Sequence, residues 1–133
     1  RDVLLVGGDF GPESLTNSGY PRTVREWVRG TDIRDAPVVF EGEKGDIAVS
    51  SYIDDQRLRG GGIFEVRTRA LATNNSKCWV RKIKPEHLLP SNDPQRMAAG
   101  DPGSFKELET PGDAEVDFLG NLLLITLRSD WSP

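Results

Sequence analysis

A chain of 133 residues is long enough for one domain with a real core. Its net charge of -4, from 17 basic and 21 acidic residues interleaved along the chain, excludes the clustered basic footprint of a dedicated nucleic-acid surface. The single cysteine, Cys78, cannot close an internal disulfide, and no apolar run approaches the roughly 20 residues that span a bilayer, so a reducing, cytoplasmic setting with neither membrane nor nucleic-acid partner is expected.

Asp2–Val6 is a short continuous apolar run, the pattern of a strand covered on both faces. Gly7-Gly8-Asp9-Phe10-Gly11-Pro12 breaks it, and glycine, proline, serine and asparagine crowd an ordered loop that runs to Arg22. Thr23–Arg29 alternates, Val24 and Val28 to one side and Arg25, Trp27 and Arg29 to the other, with arginine stems placed to cover the indole. After a turn over Gly30–Ala36 a strand is predicted at Pro37–Glu43. A charged turn then leads into another at Ile47–Asp54, which Asp54-Asp55 ends.

Gly60-Gly61-Gly62 reads as a flexible hairpin tip. Ile63–Ala72 follows, with Phe64, Val66, Thr68 and Ala70 on one face and Arg67 and Arg69 on the other. Thr73–Ser76 is a turn, and Lys77–Ile83 sets Cys78 and Val80 against Trp79 and Arg81. Lys84–Ser104 then loses all period and holds four prolines, with short helical possibilities at Glu86–Leu89 and Pro94–Ala99, as in an insertion on a sheet edge. Strand character resumes at Phe105–Thr110, Ala114–Leu119 and Asn121–Leu127.

Short strands joined by turns, without a long amphipathic helix, imply an all-β protein. A strand leads into Gly-Asp twice, at Gly45-Asp46 and Gly112-Asp113, each time with a valine three residues after the aspartate. That recurrence suggests a repeat enlarged by an insertion, and a sheet repeat of roughly 40–50 residues is the size of a propeller blade. The expected architecture is therefore part of a β-propeller, about two antiparallel four-stranded blades. Residues 1–44 would hold the later strands of one blade, 45–111 a full blade with the insertion at 84–104, and 112–133 the start of the next. Neither end carries the polar fraying segment common at domain termini, so the chain is expected to be a piece of a longer one.

Residues with chemical potential are few. His87 is the only histidine and has no serine or cysteine at a recognisable spacing, so it reads as an exposed loop residue. No Gly-x-Ser-x-Gly elbow occurs, and Gly60-Gly61-Gly62 lacks the lysine and helix of a phosphate cradle. Asp54-Asp55 and Glu41/Glu43 lack calcium-loop spacing and read as turn and surface acids. Cys78 is expected as a small buried packer, and Trp27 and Trp79 as packing against a neighbouring sheet or stacking on arginine. No catalytic residue, cofactor or metal is assigned.

Several stretches resemble the amino-terminal propeller of prolyl oligopeptidase-like serine peptidases. The most specific is Gly8-Asp9-Phe10-Gly11-Pro12-Glu13-Ser14-Leu15-Thr16-Asn17-Ser18-Gly19-Tyr20-Pro21-Arg22. Arg25–Thr31, Val39–Glu43, Asp46–Ser50 and Leu127–Trp131 add to it, so that the likeness covers most of the chain outside 84–104. The resemblance implies a propeller capping an α/β-hydrolase domain, admitting short peptides and excluding folded proteins. None of the family's catalytic positions has a counterpart here. The implied partners are the remaining blades, the hydrolase domain and, for the parent, short peptides. Asp9, Tyr20 and Arg22 are the candidate interface or substrate-facing side chains, because ordered loops on rigid sheets carry function. A free-standing β module that binds a peptide along a bare edge or on its Arg/Trp strand faces is the alternative.

Overall fold

Alternating side chains become nine strands among the described residues, 2–88 and 105–132 of the computed structural model. The first sheet runs β1 (Val3–Gly7), β2 (Thr23–Val28), β3 (Val38–Glu41) in that spatial order. The second runs β4 (Ala48–Asp55), β5 (Ile63–Ala72), β6 (Asn75–Ile83), β7 (Lys106–Glu107). The third holds β8 (Glu115–Leu119) and β9 (Leu122–Thr126). Every pairing is antiparallel and joins strands adjacent in sequence. No α-helix occurs among the described residues, and none of their helical turns is long and apolar enough to cross a membrane.

Turn chemistry sets the register. Gly120-Asn121 forms the two-residue connection between Leu119 and its partner Leu122, with Gly120 at φ 61°. Thr73-Asn74 does the same between Ala72 and Asn75, where Asn74 takes φ 59°, a conformation its short amide side chain tolerates. Both Gly-Asp pairs fall between sheets, the first joining β3 to β4 and the second β7 to β8. Their glycines are not equivalent. A Cβ on Gly45 would meet nothing, and it is Gly42 whose Cβ would lie 2.3 Å from Val49 and 2.6 Å from the Asp46 carboxylate. At the second join Gly112 itself is constrained, by the Asn75 side chain 2.2 Å from such a Cβ.

The second sheet is buried on both faces, and the two faces differ in kind. Toward the third sheet, Phe64 and Phe118 stack with centroids 4.2 Å apart, and Val66, Cys78, Val80 and Leu123 complete an apolar cluster. Toward the first sheet the strands offer Glu65, Arg67 and Arg81, all buried, beside a T-shaped Phe40–Trp79 pair at 5.8 Å. Trp79 therefore packs across to β3. Arg67 and Arg81 are consequently not available as a solvent-facing binding surface: strand alternation placed them correctly, but the neighbouring sheet covers the face they occupy.

Other details depart from the sequence reading. β1 is not covered on both faces, since Leu4, Leu5 and Val6 are only half-buried. Arg25 stacks on Phe10 at 4.2 Å rather than on the Trp27 indole, which instead donates to the Thr31 carbonyl at 2.9 Å. Gly60-Gly61-Gly62 is no free tip. A Cβ on Gly61 would sit 2.1 Å from the Gly120 carbonyl oxygen, and Gly62 N donates to Asn121 Oδ1 at 3.0 Å. Gln56 adds a buried bond, accepting from Gly120 N at 3.1 Å, so the connection from β4 to β5 is moored to the turn between β8 and β9. The short helical turn expected near 86 is a 3-10 turn, Pro85–Leu88. The one expected at Pro94–Ala99, with most of the insertion, lies outside the described residues.

Candidate functional site

The loop from Gly8 to Arg22 is built from its own polar side chains. Asp9 Oδ1 accepts from Gly11 N at 3.0 Å. Buried Ser14 accepts from Phe10 N at 2.7 Å and donates to the Gly11 carbonyl at 2.6 Å, which fixes a 3-10 turn at Pro12–Ser14. Thr16 N donates to the Tyr20 carbonyl, and Leu15 bridges to Pro21. The loop then clasps the crossing between the first two sheets. Thr16 Oγ1 donates to the Ile47 carbonyl at 2.9 Å, Asn17 N to the Lys44 carbonyl and Val49 N to the Pro21 carbonyl.

The structure gives the three loop candidates different surroundings. Arg22 is largely withdrawn from solvent: its guanidinium donates to the carbonyls of Glu13 and Gly42 and pairs with the Glu41 carboxylate. It is a staple between loop and crossing. Asp9 is exposed and closes its own turn. Tyr20 is 56% exposed, an aromatic side chain open to solvent. No contact brings the three into one cluster.

Below the clasp, Asp46 is buried and held bidentately by Arg69, at 2.7 Å to Nε and 3.0 Å to Nη2, while also accepting from Glu43 N. The Arg69 bonds hold its carboxyl below the usual aspartate range. Sequence reasoning treated Asp46 as a turn residue and left Arg69 unpaired. No local pattern joins the two, because they meet only when β5 folds against the turn before β4.

The deepest polar group lies between the first two sheets. Glu65 takes Arg81 Nε at 2.8 Å and Arg67 Nε at 3.3 Å, and Phe105 lies beneath both guanidiniums, 4.1 Å from Arg67 and 4.6 Å from Arg81. Glu26 enters from β2 on the face of Val24. Burial, then the Glu65 carboxylate, push its carboxyl up to about 7 against the opposing pull of the arginines. Glu26 was overlooked, although the Val24/Val28 alternation already placed an acid on an apolar face. His87 shares this region. It is half-buried rather than fully exposed, because Nδ1 accepts from Lys84 N at 3.1 Å and turns the ring inward at the end of β6.

Among the described residues no set of three His, Cys, Asp or Glu side chains is placed to hold a metal. Cys78 is half-buried and its thiol is pushed up by desolvation, the reverse of an activated thiolate. Asp54, Asp55 and Glu41 bond to Gln56, Arg57 and Arg22, as turn and surface acids do.

No protein-family model matches the chain, and no curated protein matches it. Among solved structures it is similar to a post-proline cleaving enzyme from Rickettsia typhi, with a TM-score of 0.69 and 20% identity over 98% of this chain. The chain spans 17% of that enzyme's length. At this identity the likeness speaks to fold, and it agrees with the sheets described above: the chain is all-β, an open part of a β-propeller made of antiparallel blades.

Proposed function

We propose that the chain is a non-catalytic propeller segment of a prolyl oligopeptidase-like serine peptidase, gating the access of short peptides to a hydrolase domain that its residues do not include. The observation that carries this reading is the likeness in fold, over 98% of the chain, to an enzyme that cleaves after proline. The resemblance of the Gly8–Arg22 run to the propeller of that family supports it as well. On this reading the three sheets belong to successive blades at 1–44, 45–111 and 112–133, and the partners are the remaining blades and the hydrolase domain. The loop from Gly7 to Arg22 would face the hydrolase or the incoming peptide, with Tyr20 as its exposed contact and Asp9 and Arg22 holding its shape. The lone thiol, Cys78, fits a reducing, cytoplasmic setting.

A Gly-Pro chromogenic peptide tests the assignment. The 133-residue chain should not cleave it, whereas the protein encoded by the whole reading frame should, while leaving folded proline-containing proteins intact. Cleavage by the chain alone, or equal attack on folded proteins by the whole protein, would remove the reading. A free-standing peptide-binding module is the second reading. It is favoured by the exposed leucines on the outer face of the third sheet, Leu119, Leu122 and Leu124. Stop codons closely flanking the coding segment would favour that module.

A further inference from the structure

The ionic group between the first two sheets is incompletely bonded. Arg67 has a side chain only 6% exposed, and its Nη2 lies 3.3 Å from Glu65 Oε1 without the alignment of a hydrogen bond. Glu26 Oε2 is likewise buried and has no hydrogen-bond partner among the described residues. Both side chains line one cavity of about 20 Å³, whose other walls include Glu65, Arg81 and His87 as well as the apolar Leu5, Val39, Ile53 and Ile83. A space of that size holds about one water, which needs at least two polar partners, and leaving buried polar groups unpaired is costly.

We propose that this cavity is a structural hydration site, one water donating to Glu26 Oε2 and accepting from Arg67 Nη2, and so joining β2 to β5 across the boundary between two sheets. A donor–acceptor molecule fits this pair better than an ion. The cavity is bordered by groups of both signs, Arg67 and Arg81 beside Glu65 and Glu26, so neither an anion nor a cation meets a wall of one opposite charge. No larger ligand fits the volume. Leu5, Val39, Ile53 and Ile83 narrow the space, and Glu65 and Arg81 already bond to each other, which leaves Glu26 Oε2 and Arg67 Nη2 as the lining atoms still to be satisfied among the described residues.

The proposal is independent of the peptidase reading. A high-resolution crystal structure of the protein at its encoded length should show one water within about 3.2 Å of both atoms. A dry cavity, or Glu26 bonded directly to Arg67, would overturn it. Val39→Ile supplies a second measurement, because its extra methyl enters the cavity. Displacing the water should lower the melting midpoint by several degrees, and this penalty should shrink in a Glu26→Leu background, where one of the two polar partners is gone. A raised midpoint, or an equal penalty in both backgrounds, would contradict a bound water.

Discussion

Arg69 and Asp46 stand 23 residues apart in sequence and form a bidentate pair with Asp46 almost wholly buried. Removing the arginine leaves a buried carboxylate, so Arg69→Met should cost about 3–5 kcal/mol, read as a drop in the denaturant midpoint. Asp46 titrates below its ordinary range when folded. The stability it gives is therefore present above that range and lost as pH falls through the folded value. Glu26 has the opposite sign. Its folded value of about 7 lies above the unfolded one, so its contribution is complete in acid and is lost as pH rises from about 4.5 to 7. Allowing for the solvent screening of a half-buried group, the loss amounts to about 1–2 kcal/mol. Glu26→Gln should flatten the fall in melting midpoint between pH 5 and pH 8; an unchanged slope would show that the carboxyl ionises as if in water.

At the scale of elements, the apolar packing between the second and third sheets centres on one ring pair. Phe118→Ala removes the ring stacked on Phe64 and should cost about 3–5 kcal/mol, releasing β8 and β9 first in hydrogen exchange. Gly61→Ala tests the mooring of the same unit from the other side. The added Cβ meets the Gly120 backbone rather than a side chain that could swing away, so the change should be strongly destabilising despite its size. The strands themselves were legible in the sequence because period-2 alternation fixes which side chains share a face, as with Phe64 and Val66 against Arg67 and Arg69. What covers each face was not legible. Arg67 and Arg81 look like solvated residues until the first sheet lies over them, and Gly60-Gly61-Gly62 looks free until the turn at Gly120 meets it. Pairings such as Gln56 with Gly120 and Asp46 with Arg69 join residues far apart in sequence, which local pattern does not encode. Of the candidate loop, the ordering by Asp9 and Ser14 was readable from residue type. The stapling by Arg22 was not, because Glu41 and Gly42 reach it only through the crossing between sheets.

For the whole molecule, the third sheet holds two described strands, and its outer side leaves Leu122 at 64% and Leu119 at 48% exposed. The continuous apolar run Leu122–Ile125 in β9 is the pattern of a strand covered on two sides, while β8 alternates and turns Glu115 and Asp117 outward. A blade that lies against sister blades gains its stability from them, and its bare face and edge favour self-association when they are missing. The most direct measurement is sedimentation of the 133-residue chain in dilute buffer, followed through a thermal melt. The account predicts an associating chain without a sharp monomeric transition. A monomer that melts in one cooperative step would contradict it, showing that these sheets are complete without neighbours.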